Sequence, residues 1–182
     1  MNSEIVDIYD LTGDEKISYD IYEIIDNACF NLAIHRALSE RFKSINEERI
    51  DIEGRLFWVV VTDNSLMMTA VNWCKVFGSD KNNGTHYKRL KDYETFESVA
   101  SDKGYNIDEY SKEMREFRDK FIAHKDRYEK PIPNFDIALD IMELFYETVL
   151  NKLEHTNSPI VSFRDYKEMA NNYLDSIKVT KI

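Results

Sequence analysis

Apolar residues recur along most of this chain at the three- and four-residue steps of an α-helix. Ile21, Ile24, Ile25, Ala28, Leu32 and Leu38 share one stripe and predict a first helix from about Ser18 to Phe42. Ser44 and Glu47 have capping-box spacing and are expected to open the next helix. Residues 49–77 are the least polar part of the chain. Phe57-Trp58-Val59-Val60-Val61 alone would suit a strand, because β-branched and aromatic residues cluster there. The pattern continues, however, through Leu66, Met67, Ala70, Val71, Trp73 and Phe77 to a natural stop at Gly78, so a helix is expected. A helix apolar on most sides belongs at the centre of a bundle.

Ser79 to Gly84 (SDKNNG) reads as a loop. A helix over about Asp92–Ser101 follows, ending near Gly104, and then one over about 107–125. Pro131-Ile132-Pro133 stops any helix before it, and Asn134 can cap the next. Residues 135–154 are strongly amphipathic through Phe135, Ala138, Leu139, Met142, Phe145, Val149 and Leu153, and a short helix over about Phe163–Ile177 closes the chain. Residues 1–16 read as an irregular acidic N-terminal arm and 17–182 as one helical bundle domain. Composition agrees: 182 residues with 43% hydrophobic and 13% aromatic can bury a proper core, and only 5 Gly and 3 Pro disfavour a sandwich or barrel. The expected fold is all-α, a single-domain bundle of long antiparallel helices with short peripheral ones.

Formal net charge is -10, which argues against a protein that coats nucleic acid. The charge is uneven. Between Lys112 and Lys130 lie seven basic residues (Lys112, Arg115, Arg118, Lys120, Lys125, Arg127, Lys130) and five acids, a local +2 on a body of -12. Such a patch can hold one phosphate or a short anion, although mixed runs of this kind are commonly solvated helix faces. The first twenty residues are acidic and have no apolar core, unlike a signal peptide, and no apolar run is long enough to span a membrane. A cytoplasmic location is therefore expected, with Cys29 and Cys74 as buried free thiols, although a disulfide between them stays open.

Several site patterns are absent: Walker loop, dinucleotide glycine fingerprint, HExxH, CxxC, and serine or cysteine nucleophile motifs. None of His35, His86, His124 and His155 has a second histidine at metal-ligand spacing, so neither a metal nor a cofactor is expected. What remains is Arg118-Asp119-Lys120-Phe121-Ile122-Ala123-His124. Arginine can stabilise a crowded phosphate and histidine can move a proton near neutral pH. On a helical wheel Tyr110, Met114, Phe117 and Phe121 form a buried stripe, with Arg118 at one margin and His124 at the other, about 120° round and about 9 Å along. A straight helix does not bring the two over one phosphate. Arginine's reach, distortion near the helix end or a second copy of the helix must close the gap, and a two-fold dimer would set each motif opposite its mate. The plainer alternative pairs Arg118 with a nearby acid and leaves His124 at a helix C-terminus, against the dipole.

Phe117-Arg118-Asp119-Lys120-Phe121-Ile122-Ala123-His124-Lys125-Asp126 resembles the signature of the HEPN superfamily (higher eukaryotes and prokaryotes nucleotide-binding). Trp73-Cys74-Lys75-Val76-Phe77-Gly78-Ser79, with Thr85-His86-Tyr87-Lys88 beyond it, further resembles the HEPN-like group linked to U-type abortive phage infection. The resemblance implies an all-α bundle and a metal-independent endoribonuclease, a homodimer with its site at the subunit junction. By position Arg118 would stabilise the phosphate, Asp119 would be the polar residue beside it and His124 would transfer the proton. The RNA 2′-hydroxyl would attack the adjacent phosphorus, leaving a cyclic phosphate and a 5′-hydroxyl. Many members carry asparagine or histidine where Asp119 stands, and an acid beside a phosphate is less favourable. Candidate RNA contacts, transfer RNA included, are Arg115, Lys120, Lys125 and Arg127, with His86, Tyr87 and Lys88 on the polar segment; Trp73 and Phe77 read as core. The setting implied is phage defence or a toxin–antitoxin pair, with an antitoxin as partner. The alternative is a non-catalytic binding or scaffold module for a protein or nucleotide, or the companion subunit of a nucleotidyltransferase.

Overall fold

A computed structural model describes residues 11–44, 52–123, 131–152 and 163–176. They form six α-helices and no strand: α1 (Gly13–Ser44), α2 (Ile52–Phe77), α3 (Tyr93–Asp102), α4 (Ile107–Phe117), α5 (Phe135–Thr148) and α6 (Phe163–Ser176). The fold is the expected all-α bundle. Among the described residues, no helix is long and apolar enough to cross a membrane.

Helix ends follow local chemistry. α1 starts at Gly13, five residues before the expected Ser18, so it takes in the last part of what was read as an irregular arm. Gly13 has φ +58, which a glycine adopts at no steric cost, and Asp14 and Glu15 follow in the first turn, where the helix dipole favours acids. Ser44 is the last residue of α1 and does not open the following helix; Glu47 lies outside the described residues. α2 stops at Gly78, whose N–H donates to the Cys74 carbonyl at 3.0 Å, and a Cβ on this residue would run into that same carbonyl. α3 ends in a 6→1 bond from Tyr105 N–H to Ala100 O (2.9 Å), closed by Gly104 at φ +86. Asn134 caps α5 as expected, its side chain accepting from Asp136 N–H at 3.0 Å. Asn134→Ala is expected to cost about 1 kcal/mol in urea unfolding; no change would mean that the Pro133 approach alone starts the helix.

α1 and α2 pair antiparallel. Thr69 Oγ1 donates to Ala28 O at 3.3 Å, and His35 Nδ1 lies 3.0 Å from Thr62 O. α4 crosses the end of α2, where Ser111 Oγ donates to Phe77 O at 2.7 Å. The core gathers at that end: Trp73 and Phe77 of α2, Tyr87, Phe96 of α3 and Phe145 of α5 are all fully buried. Phe77 stacks against Trp73, Tyr87, Phe96 and Phe145 with centroids 5.0, 5.6, 6.0 and 5.5 Å away. Both tryptophan-side residues named as core, Trp73 and Phe77, are core. Cys29 and Cys74 are free and buried; burial pushes their thiols up, to about 12 and about 11.

Candidate functional site

The motif segment sits where α4 leaves α-helical winding. Asn106 caps α4 by accepting from Glu109 N–H at 3.1 Å, and Ile107, Tyr110, Met114 and Phe117 bury one stripe. Tyr110, Met114 and Phe117 are three of the four residues the wheel predicts for that stripe; the side chain of the fourth, Phe121, lies outside the described residues. At Arg118 the backbone changes to a π-helix that runs to Ala123. Such winding bonds each residue five positions on, is rare, and is frequent at functional sites. The expected continuous α-helix over 107–125 is therefore corrected: regular winding ends at Phe117, and Arg118–Ala123 occupy a wider coil. No residue between 118 and 123 marks this in the sequence; no Pro or Gly stands there.

Arg118 lies at the margin of the buried stripe, its side chain 32% exposed. Its Nε donates to Asp119 Oδ1 at 2.8 Å and its Nη2 lies 2.7 Å from the same oxygen. Asp119 is more exposed, at 55%. Lys120 pairs one turn back with Glu116 at 2.9 Å. Arg115 turns onto its own helix, Nε donating to Ser111 O at 3.3 Å. Both arginines come close enough to α2 to act on Cys74. Burial dominates that thiol and raises it; Arg118 and Arg115 pull the other way and Asp119 adds to the rise. Of the expected site, the structure thus brings Arg115, Arg118, Asp119 and Lys120 together beside the last turns of α2. His124, Lys125 and Arg127 lie outside the described residues.

His86 and Tyr87 depart from the expectation, while Lys88 is partly exposed beside them. His86 and Tyr87 are buried, not displayed on a polar loop, and cannot stack on a base as they stand. His86 caps a short 3-10 turn (Tyr87–Arg89) by accepting from Lys88 N–H at 3.3 Å. Burial holds its ring below the usual histidine range, with Asp80, 3.8 Å away, pulling it back up. Tyr87 OH donates to Glu97 at 2.6 Å, and Lys88 pairs with that carboxylate at 2.9 Å. Burial pushes the Glu97 pKa up, and these two hydrogen bonds together with the nearby charge of Lys88 more than reverse it, leaving the group below its ordinary value. The sequence places this segment among charged residues; only packing under Phe96, Phe77 and Phe145 reveals it as core.

Two partners were not read from the sequence. Glu97 organises Tyr87 and Lys88, and Ser111 ties α4 to the end of α2. Ser111 could have been found as the one small polar residue beside the large residues of the α4 stripe. Among the described residues, no group of three or more His, Cys, Asp or Glu is placed to hold a metal ion. A shallow cleft between α3 and α4, about 480 Å³, is lined by Lys88, Glu97, Ser101, Tyr105 and Asp108, away from the motif. Comparison of the chain with protein-family models, with curated proteins and with solved structures finds no match.

Proposed function

We propose that this chain is a metal-independent endoribonuclease of a phage-defence or toxin–antitoxin system, acting as a homodimer in the cytoplasm. The single observation that carries the reading is the π-helical turn that begins at Arg118, the first residue of the arginine–histidine motif. Arg118 stabilises the phosphate, and His124 transfers a proton as the 2′-hydroxyl attacks phosphorus. Arg115 and Lys120 add positive charge along the RNA, with Lys125 and Arg127 further on. The reaction needs a base, an acid and charge stabilisation, all of which side chains can supply.

The Arg118–Asp119 pair is compatible with this role. An ion pair this exposed contributes roughly 0–1 kcal/mol, so an RNA phosphate competes for the guanidinium at small cost. Asp119 then acts as a mild internal competitor. Asp119→Asn is expected to lower KM for RNA several-fold and to leave the folded state intact, read in cleavage of labelled single-stranded RNA and of a transfer-RNA pool in EDTA. If the substitution lowers cleavage as strongly as loss of Arg118 does, Asp119 orients the arginine instead of competing with the phosphate.

A second reading rests on the same pair. With Arg118 engaged by its neighbour, the domain would be a non-catalytic binding or scaffold module for a protein or nucleotide, or for a nucleotidyltransferase partner. Native protein that fails to cut either RNA in EDTA, and still retains one specific partner in a pull-down, would decide for it.

A further inference from the structure

The N-terminal part of α2 buries small hydroxyls on one side and exposes large apolar residues on the other. Its hydroxyl-bearing residues Thr62, Ser65 and Thr69 are buried along the side that meets α1. Each is satisfied by a carbonyl one turn back: Thr62 by Trp58 at 2.8 Å, Ser65 by Val61 at 2.9 Å and Thr69 by Ser65 at 3.0 Å. Several large apolar residues of its N-terminal part face outward, whereas Trp73, Val76 and Phe77 near its end are core. Leu56 is 63% and Phe57 59% exposed, and Val60 and Met68 are exposed as well. Small buried hydroxyls let α1 approach closely, while the opposite side displays side chains that water disfavours.

The outer stripe has an internal spacing. Phe57, Val60, Asn64, Met67 and Val71 follow one another at steps of three and four, the repeat by which one helix packs along another. Leu56 and Met68 flank it. Its central polar member is Asn64. An asparagine at one inward position of such a repeat fixes register, because its amide finds both a donor and an acceptor in the identical amide of a second copy. That reciprocity is a property of an isologous contact, in which the same patch serves both sides. A lipid surface fits less well, since it calls for Lys and Arg along the polar flank of a strongly apolar face, whereas this stripe is interrupted by Asp63 and Asn64 on a chain of net charge -10.

We propose that the chain forms a two-fold dimer through this outer stripe of α2, with Asn64 against Asn64 of the partner subunit at the axis. From Leu56 to Val71 the stripe is about 22 Å long and about 10 Å wide, less than the roughly 800 Å² per partner of a standard interface. The interface therefore extends onto what adjoins the stripe. One turn past Val71 the stripe ends, because Cys74 is buried, and the segment with Arg115 and Arg118 lies beside it there. The dimer surface thus borders the motif, which deepens the ribonuclease reading by naming where two copies meet; the dimer itself rests on α2 alone.

Sedimentation of the full chain over a wide concentration range tests this without RNA. Native protein is expected to be dimeric. Val60→Asp places a charge at an already exposed position, so its helix content and urea midpoint should stay native while dimerisation weakens by at least about tenfold. Asn64→Cys is expected to give a disulfide-linked dimer on mild oxidation, with Glu94→Cys on α3 as a control that does not. A native monomer at every concentration overturns the proposal. So does a dimer that Val60→Asp leaves unchanged and Asn64→Cys does not cross-link, since another surface would then hold it. A dimer that cuts no RNA would sink the ribonuclease reading and leave this one standing; a monomer that cuts RNA would overturn the dimer in both and leave the ribonuclease chemistry standing.

Discussion

Alanine at His124 should lower RNA cleavage in EDTA by on the order of 10²–10⁴-fold, the usual contribution of a positioned acid or base to proton transfer. In the proposed reaction no metal shares the work, so the loss falls at the upper part of that range. Arg118→Ala should lose a comparable factor, on the order of 10²–10³, because it removes charge aimed at the phosphate in the transition state. The two losses should not multiply in the double variant, since both residues act on one step. Circular dichroism and the urea midpoint separate chemistry from folding. A His124→Ala protein that is folded and cuts at the native rate removes His124 from the mechanism. Cleavage that survives in the native protein only when a divalent cation is present removes the metal-independent scheme altogether.

The second large effect concerns stability. Phe77→Ala should destabilise the protein by about 3–5 kcal/mol, the range for emptying an aromatic site in a core. Its ring is fully buried and meets four other rings drawn from α2, the 3-10 turn, α3 and α5. No single neighbour can collapse into the space without leaving the others. Domains of this kind are stable by only about 5–15 kcal/mol in total, so the variant should be much less resistant to urea, with its midpoint lowered and its slope unchanged. A cost below about 1.5 kcal/mol would mean that the ring cluster rearranges, and that Phe77 is not its centre. Trp73 offers an instructive contrast. Its indole Nε1 is buried with no hydrogen-bond partner among the described residues, so its removal deletes an unsatisfied donor along with the packing.

Much of the architecture was legible because it rests on local rules. Gly78, Gly104 and Asn134 mark their helix ends through backbone freedom or a side-chain cap, effects that act over a few residues. The strand-like run Phe57–Val61 was resolved as helix by the periodicity around it. What escaped the sequence depends on distant parts of the chain. His86 and Tyr87 stand among Lys, Arg and Asp, and only the aromatic cluster brought from α2, α3 and α5 makes them core. Ser44 has the right neighbour for a cap, yet α1 continues through it. The change to π winding at Arg118 breaks no propensity rule and leaves no compositional trace. At the candidate site the residue types were legible, and the pairing of Arg118 with its own neighbour was stated beforehand as the plainer alternative.

α6 has a consequence for the order in which this molecule comes apart. It is held on α1 by contacts between residues far apart along the chain: Tyr166 OH donates to Asp26, Arg41 bonds to Leu174 O at 3.1 Å and to the Asp175 carboxylate, and Lys167 reaches Glu40 at 3.1 Å. Only Tyr166, Ala170 and Leu174 of its described side chains are buried. Docking it closes a loop through nearly the whole chain, while α1 and α2 meet as adjacent helices with far less to close. Undocking α6 therefore takes less free energy than opening the aromatic core. In native-state hydrogen exchange its amides belong to the first unit to open, and the α1–α2 pair and the core beneath it exchange only afterwards.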